Sequence, residues 1–227
     1  MKRTSLTLCI IGLILSSLSV ASSAGGQEPI RIGIVDSYTG PAAPHTQNTL
    51  DAFRMVVDKF NESGGLKGRK IEYVARDDKF RPDIALTMAK ELVMKENVDI
   101  LMGTINSAAA LAISDFTLKE KVPFFAINSK SEKITGEKGN RYVFDMSENT
   151  LMAGRAGASY LAKKAYIKYW IAGDDYEYGH SIADVAWGGL KALKPDVQLV
   201  GQAGGRSVTP TSSPTLPRSW RQNPIAS

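Results

Sequence analysis

Short apolar segments alternate with amphipathic segments along most of this chain, and the alternation predicts its secondary structure. Short apolar or alternating runs are typical of strands, and apolar positions three and four residues apart are typical of helices. Because the two kinds of segment take turns, we predict an α/β fold with doubly wound parallel sheets. The predicted strands are residues 30–35, 69–75, 99–102, 122–127, 141–146, 166–172 and 197–200. The predicted helices are residues 47–61, 82–96, 107–119, 152–163 and 181–193.

The pattern divides the chain into two α/β units. Residues 28–146 carry five of the predicted strands, and a second unit starts near Thr150 and continues to residue 202. Residues 203–227 break the pattern, because they contain four prolines, many Ser and Thr, three arginines and no acidic residue. Such a segment buries too little apolar area to offset its ordering entropy, so we predict a disordered tail there.

The first 24 residues resemble a secretory signal peptide. Lys2 and Arg3 form a positive start, residues 6–15 are apolar, and residues 22–24 form a small-residue cleavage site. The apolar core is too short for a membrane anchor. A lipoprotein would need Cys9 after the apolar run, and Cys9 precedes most of it. We therefore predict an exported, periplasmic protein.

Charge and composition exclude several functions. The net charge is +5, but Lys2, Arg3 and the three arginines of the tail account for it, so the body is neutral. A neutral body lacks the basic footprint of a nucleic-acid-binding protein. Cys9 is the only cysteine, and His45 and His180 are the only histidines. We therefore expect no metal site and no cofactor. Without a phosphate loop, a dinucleotide fingerprint or a nucleophile elbow, we do not expect an enzyme.

The segment 99–107 is the strongest local indication of a ligand site. It predicts a strand, a tight turn at Gly103 and a helix that opens at Ser107. In open α/β sheets, ligands bind beyond the carboxyl ends of strands, near helix N-termini. The adjacent Asp77 and Asp78 could indicate acid–base chemistry, but capping of turns or of the next helix is the favoured interpretation.

Several of these segments together resemble the substrate-binding proteins of branched-chain-amino-acid ABC importers, the leucine/isoleucine/valine-binding protein family with the type I periplasmic binding fold. The resemblance covers roughly residues 31–202 in family order and spacing. The matching segments are residues 32–34, 39–41, 61–65, 68–70, 77–78 with Pro82, Gly103 with Ser107, and 175–179.

The resemblance implies two lobes that close on a small polar solute, with an amino acid as the default. It implies that Ser107 binds the solute carboxylate, that residues 128–130 (Asn128, Ser129 and Lys130) add contacts, and that Tyr178 reaches in from the second lobe. His45 falls in a loop where relatives often carry an aromatic residue. Tyr176 is expected to be structural.

Each of these residues also has a plain structural interpretation. Ser107 could be a helix N-cap, and Asn128 and Ser129 could be turn formers. Tyr178 could pack its ring within the second lobe, and His45 could be a solvated loop residue.

The resemblance also implies a longer chain, because relatives complete the second lobe and then return to the first. We therefore predict an incomplete second lobe and a truncated or frameshifted continuation, with a natural basic tail as the alternative. The implied partners are the solute and the membrane-bound permease and ATPase complex. A ligand-sensing module for a signalling receptor is the alternative function.

Overall fold

A computed structural model describes residues 27–205, in which the first lobe is built on a five-stranded parallel sheet. The predicted leader and the tail beyond residue 205 lie outside the described residues. The strand order is β2-β1-β3-β4-β5, with pairs such as Ile32 with Ile100 and Leu101 with Phe124. The strands are β1 (Ile30–Asp36), β2 (Ile71–Asp77), β3 (Ile100–Gly103), β4 (Phe124–Ala126) and β5 (Val143–Asp145). The helices of this lobe are α1 (Ala43–Glu62), α2 (Pro82–Met94) and α3 (Ser107–Glu120), followed by a 3-10 turn at Glu132–Ile134.

The helices cover both faces of this sheet, as the doubly wound pattern predicts. On one face, Ala85, Ala89 and Leu92 of α2 join α3 and the buried Phe124 in the main core. On the other face, Leu50 of α1 packs with Ile32 and Ile34 of β1. Small alanines let α2 and α3 lie close to the sheet, which fixes where the carboxyl ends of the strands meet the helix N-termini.

The second lobe consists of two helices and a two-stranded parallel sheet. Its elements are α4 (Thr150–Ala162), β6 (Lys168–Asp174), α5 (Glu177–Leu193) and β7 (Gln198–Gly205). The helices α4 and α5 are closely packed. A Cβ atom added at Gly154 of α4 would lie only 2.7 Å from Val185 Cγ1 of α5. Apolar side chains around the small sheet remain open to solvent, and Tyr166 is 62% exposed and Val200 50% exposed.

Three boundaries differ from the sequence-based prediction by more than two residues. Helix α1 begins at residue 43 and α5 at residue 177, four residues earlier than predicted in each case. Pro44 lies in the first turn of α1, where proline is tolerated, and neither helix start has a capping side chain that would mark it. The placement of His45 and Tyr178 in loops was therefore wrong, because both lie in first helical turns. Strand β7 continues through residue 205, so residues 203–205 belong to the sheet and not to the tail.

No helix among residues 27–205 is both long and apolar enough to cross a membrane.

Candidate ligand-binding cleft

A cleft of about 220 Å³ lies between the two lobes. The first lobe contributes the start of α1 and the segments that follow β3 and β4. The second lobe contributes the residue before α5 and the first turn of α5. Both parallel sheets thus present the carboxyl ends of their strands to the same space, where α/β folds bind ligands. The lining residues are His45, Ile105, Asn128, Lys130, Tyr176 and Tyr178.

Four of the six predicted site residues therefore line one cleft, namely His45, Asn128, Lys130 and Tyr178. Ser107 and Ser129 do not line it, and both are fully buried. Ile105 and Tyr176 line it without having been predicted. Ile105 lies within the strand–turn–helix segment 99–107, which was predicted to be a ligand site. Its place in that segment is therefore the sequence feature that could have identified it.

Ser107 supports the loop after β4. Its hydroxyl oxygen accepts hydrogen bonds from the backbone N–H groups of Lys130 (3.1 Å) and Ser131 (3.3 Å). The helix N-cap interpretation of Ser107 was wrong, because Asn106 is the N-cap and its side chain accepts from Ala108 N and Ala109 N. Asn106 also donates to Phe80 O at 3.0 Å, which connects the start of α3 to the loop after β2.

The loop 128–130 places two polar side chains, Asn128 and Lys130, in the cleft wall. Asn128 Nδ2 donates to Thr49 Oγ1 on α1 at 3.3 Å. The hydroxyl of Ser129 is the one buried side-chain polar atom among residues 27–205 that has no hydrogen-bond partner. A buried hydroxyl without a partner costs free energy, so it is a place where a ligand or a water could gain a hydrogen bond.

Among the described residues that line the cleft, Lys130 is the only Lys, Arg, Asp or Glu. It forms an ion pair with Glu148, and one third of its side chain is exposed. Burial, with smaller contributions from Asp174 and Tyr178, raises the pKa of Tyr176 to about 12. Its hydroxyl is therefore a neutral donor at physiological pH. The cleft offers one cation and two phenol groups, which suits a small anion with a flat or apolar body.

Direct contacts join the two lobes beside the cleft. Glu177, in the first turn of α5, accepts from Ser131 Oγ at 2.8 Å and pairs with Lys133 Nζ at 3.1 Å. This hydrogen bond to Glu177 raises the pKa of Lys133. The rings of Phe80 and Tyr176 meet edge to face, with centroids 5.2 Å apart. Tyr176 therefore packs against the first lobe, which agrees with the structural role expected of it. It also lines the cleft, which was not expected.

Replacing Glu177 by glutamine is expected to lower the free energy of unfolding by about 1 kcal/mol, because a partly buried ion pair between the lobes is lost. Urea denaturation measures the change. Glu91→Gln is the matched control, because Glu91 forms an exposed ion pair with Lys95, which lies one turn away just past the end of α2. That pair should contribute only about 0.3 kcal/mol. Equal losses in the two variants would show that the contact between the lobes adds nothing beyond a surface pair.

Two buried carboxyl groups lie behind the cleft wall. Asp36 Oδ1 accepts from Ile105 N at 2.8 Å and from Ser37 N at 2.9 Å. Asp78 accepts from Ser37 Oγ at 2.5 Å and from Thr104 Oγ1 at 2.8 Å. Burial raises the pKa of Asp36 to about 6, against the opposing effect of its backbone hydrogen bonds.

Turn capping by Asp77 and Asp78 is confirmed, since they accept from Lys79 N and Phe80 N respectively. The alternative, that these residues cap the next helix, is wrong, because the N-cap of α2 is Arg81 and no side chain caps that helix. Among residues 27–205, no three His, Cys, Asp or Glu side chains are grouped so as to hold a metal ion.

The chain is similar to solute-binding proteins. It is 29% identical to the Leu/Ile/Val-binding protein homolog 7 of Brucella suis over 181 residues, which cover 74% of this chain and 45% of that protein. A binding protein of R. palustris in complex with benzoate has a TM-score of 0.72 at 23% identity, covering 79% of this chain and 49% of that one. The substrate-binding protein LivJ of Streptococcus pneumoniae, in complex with isoleucine, has a TM-score of 0.69 at 23% identity, with 79% and 50% covered.

These similarities confirm the fold and the predicted resemblance. The chain spans about half the length of the relatives it matches. The family profile described as periplasmic binding protein matches residues 29–210, which extends past the predicted end of the second unit at residue 202. The chain therefore belongs to the periplasmic binding protein family.

Proposed function

We propose that this protein is an exported, periplasmic receptor that delivers a small carboxylate-bearing solute to an ABC importer. The observation that carries the proposal is the cleft between the lobes, with Lys130 and two tyrosines at its wall. Solute contacts from both lobes would stabilise the closed form that a membrane partner recognises. Binding and closure require no catalytic group, which agrees with the solute-binding character of the relatives.

The proposed solute class rests on charge. Lys130 brings a positive charge to the cleft, and none of the described lining residues is a carboxylate. The solutes in the similar structures, benzoate and isoleucine, share a carboxylate group and differ in the ammonium group. We therefore propose a carboxylate as the common feature, with Ser107, Asn128, Ser129, Lys130, Tyr178 and His45 as the binding residues. Ser107 would act through the loop that it holds, and Ser129 through its unpaired hydroxyl.

We further propose that this chain binds its solute weakly or not at all. The chain spans about half the length of its relatives, and any contacts from the remaining half of the pocket would be missing. Exposed apolar side chains around β6 and β7, among them Tyr166 and Val200, would also favour self-association. A stable monomer that binds a carboxylate tightly would contradict this part of the proposal.

Ligand-observed NMR on the full chain is the test, because it detects dissociation constants in the millimolar range. Benzoate and isoleucine are the probes, and benzamide is the neutral match for benzoate. Lys130→Met is expected to weaken benzoate binding at least about tenfold, the effect of losing a charge-assisted contact of about 1.4 kcal/mol. Equal binding of benzoate and benzamide would contradict a carboxylate site.

Two control variants separate the charge of Lys130 from its other contacts. Glu148→Gln removes the same ion pair but keeps the cation in the cleft, so it should bind benzoate at least as well as the wild type. Lys119→Met removes an exposed lysine from the far end of α3 and should leave binding unchanged. If Lys119→Met weakened binding as much as Lys130→Met, the effect would be one of net charge and the site assignment would be wrong.

A further inference from the structure

A second cavity, separate from the cleft, lies between α1 and the first sheet. Its volume is about 190 Å³, somewhat larger than an engineered cavity of about 150 Å³ that binds benzene. The walls are mostly apolar and come from β1, α1, β3 and the residue after β4. Thr49 and Tyr38 are partly exposed lining residues, so the cavity reaches the surface beside them. The apolar part of the wall includes Ile34, Leu50, Phe53, Met102 and Ile127.

One carboxyl group, that of Asp36, lines this mostly apolar cavity. Asp36 is only 1% exposed, and both of its short backbone hydrogen bonds end on Oδ1. None of residues 27–205 donates a hydrogen bond to Asp36 Oδ2, and none of their Lys or Arg side chains forms an ion pair with Asp36. Ser129 Oγ is the only fully buried side-chain polar atom of residues 27–205 without a partner, so Asp36 Oδ2 keeps a small accessible area at the cavity. A carboxylate oxygen with so little access to water and no donor is costly, and a cation that binds there would remove the cost.

Neighbouring groups do not neutralise this charge. Asp78, the other buried acid, carries the same sign and uses both of its oxygens on hydroxyl and backbone donors. Arg54, further along α1, is half exposed and pairs with Asp51 at 3.3 Å. A metal ion would need several more oxygen or nitrogen ligands, and the walls supply mainly carbon. The occupant that suits this cavity has one positive group, hydrogen-bond donors and a hydrocarbon body.

We propose that this cavity is a second binding site, in which the Asp36 carboxylate holds the ammonium group of a small alkylammonium ion whose hydrocarbon chain fills the apolar space. The site is distinct from the cleft, with which it shares no lining residue. Its wall touches the cleft wall at two points, where Asn128 donates to Thr49 and Ile105 N donates to Asp36. The site does not depend on the proposed transport function.

The test compares n-butylammonium chloride with 1-butanol on the full chain at pH 8, at constant ionic strength, by ligand-observed NMR and by the shift in thermal midpoint. The two probes have the same hydrocarbon body and differ in charge. We expect butylammonium to bind at least about tenfold more tightly than butanol, as a charge-assisted hydrogen bond of about 1.4 kcal/mol predicts. Equal binding of the two probes would reduce the site to an apolar cavity and overturn the proposal.

Three variants locate the binding. Asp36→Asn keeps the shape of the side chain and the oxygen that accepts from the backbone N–H groups, but it removes the negative charge. This variant should bind butylammonium at least about tenfold more weakly than the wild type. Thr49→Leu adds volume at a partly exposed helical position and should block both probes. Asp58→Asn removes an exposed carboxylate from the same helix and should change nothing. Unchanged butylammonium binding in Asp36→Asn, with Thr49→Leu also unaffected, would place the cation elsewhere on the surface. Benzoate binding and its response to Lys130→Met report on the cleft separately, so failure at either site is distinguishable.

Discussion

Gly103→Ala is expected to destabilise the chain by more than about 4 kcal/mol, a large share of the roughly 5–15 kcal/mol that stabilises an ordinary domain. Gly103 ends β3 with φ at +129°, a backbone conformation that residues with a Cβ atom rarely adopt. An added Cβ would also lie 1.8 Å from the carbonyl oxygen of Val35, on the neighbouring strand β1. To avoid this clash, β1 and β3 would have to separate at the point where Asp36 and Thr104 are in contact. The separation would disrupt both the core and the cleft wall.

The measurement is urea denaturation followed by circular dichroism, with Gly157→Ala as the matched control. Gly157 lies within α4 at ordinary φ, and nothing lies within 4 Å of an added Cβ. Alanine there should stabilise the chain by about 0.5–1 kcal/mol, because it restricts the unfolded state and favours the helix. A folded Gly103→Ala protein within about 1 kcal/mol of the wild type would show that the strand ends adapt, contrary to this account.

The parallel sheet was predictable because its strands are short, apolar and separated by amphipathic helices. Leu101 and Phe124 are fully buried neighbours on β3 and β4, as uninterrupted apolar runs indicate. The helix starts were less predictable. Helix α1 begins within a segment that contains Pro41 and Pro44, and α5 begins at Glu177, directly after the turn at Asp175. No side chain caps either start, so the capping residue that usually marks a helix start in a sequence is missing.

The position of the cleft could be predicted from the sequence, but only some of its lining residues could. His45, Asn128, Lys130 and Tyr178 all follow the carboxyl end of a strand, and a parallel sheet brings such residues together. Ser107 and Ser129 follow strands as well, but both are fully buried. The spacing of residues in the sequence shows which helix or loop carries a hydroxyl group. Whether that hydroxyl points into the cleft or into the interior depends on how the loops pack.

The buried acids behind the cleft could not be foreseen, because their environment is made by distant parts of the chain. Asp36 receives a hydrogen bond from Ile105, 69 residues away, and Asp78 receives one from Ser37, 41 residues away. In the sequence, Asp36 is the polar end of an apolar strand, which is typical of a solvated turn. Only the arrangement of β1, β2 and β3 turns it into a buried carboxylate with a raised pKa.

Asp36→Asn is expected to make the ligand-free chain more stable than the wild type at neutral pH, by up to about 3 kcal/mol. Burial raises the pKa of Asp36 from 3.8 to about 6 in the folded state, while the unfolded chain keeps the ordinary value. An acid with a raised pKa contributes most to stability when it is protonated in both states, below about pH 4. That contribution falls as the pH rises from 3.8 to about 6, and each pKa unit is worth about 1.4 kcal/mol.

Urea denaturation of the two proteins at intervals from pH 4 to pH 8 measures the difference directly. The gap in free energy of unfolding between Asp36→Asn and the wild type should widen between about pH 4 and pH 6 and stay constant above that range. Asp58→Asn, which changes an exposed carboxylate, should parallel the wild type at every pH. If the Asp36→Asn curve ran parallel to the wild type as well, Asp36 would be compensated in the folded chain, and the unpaired negative charge on which the second cavity depends would not exist.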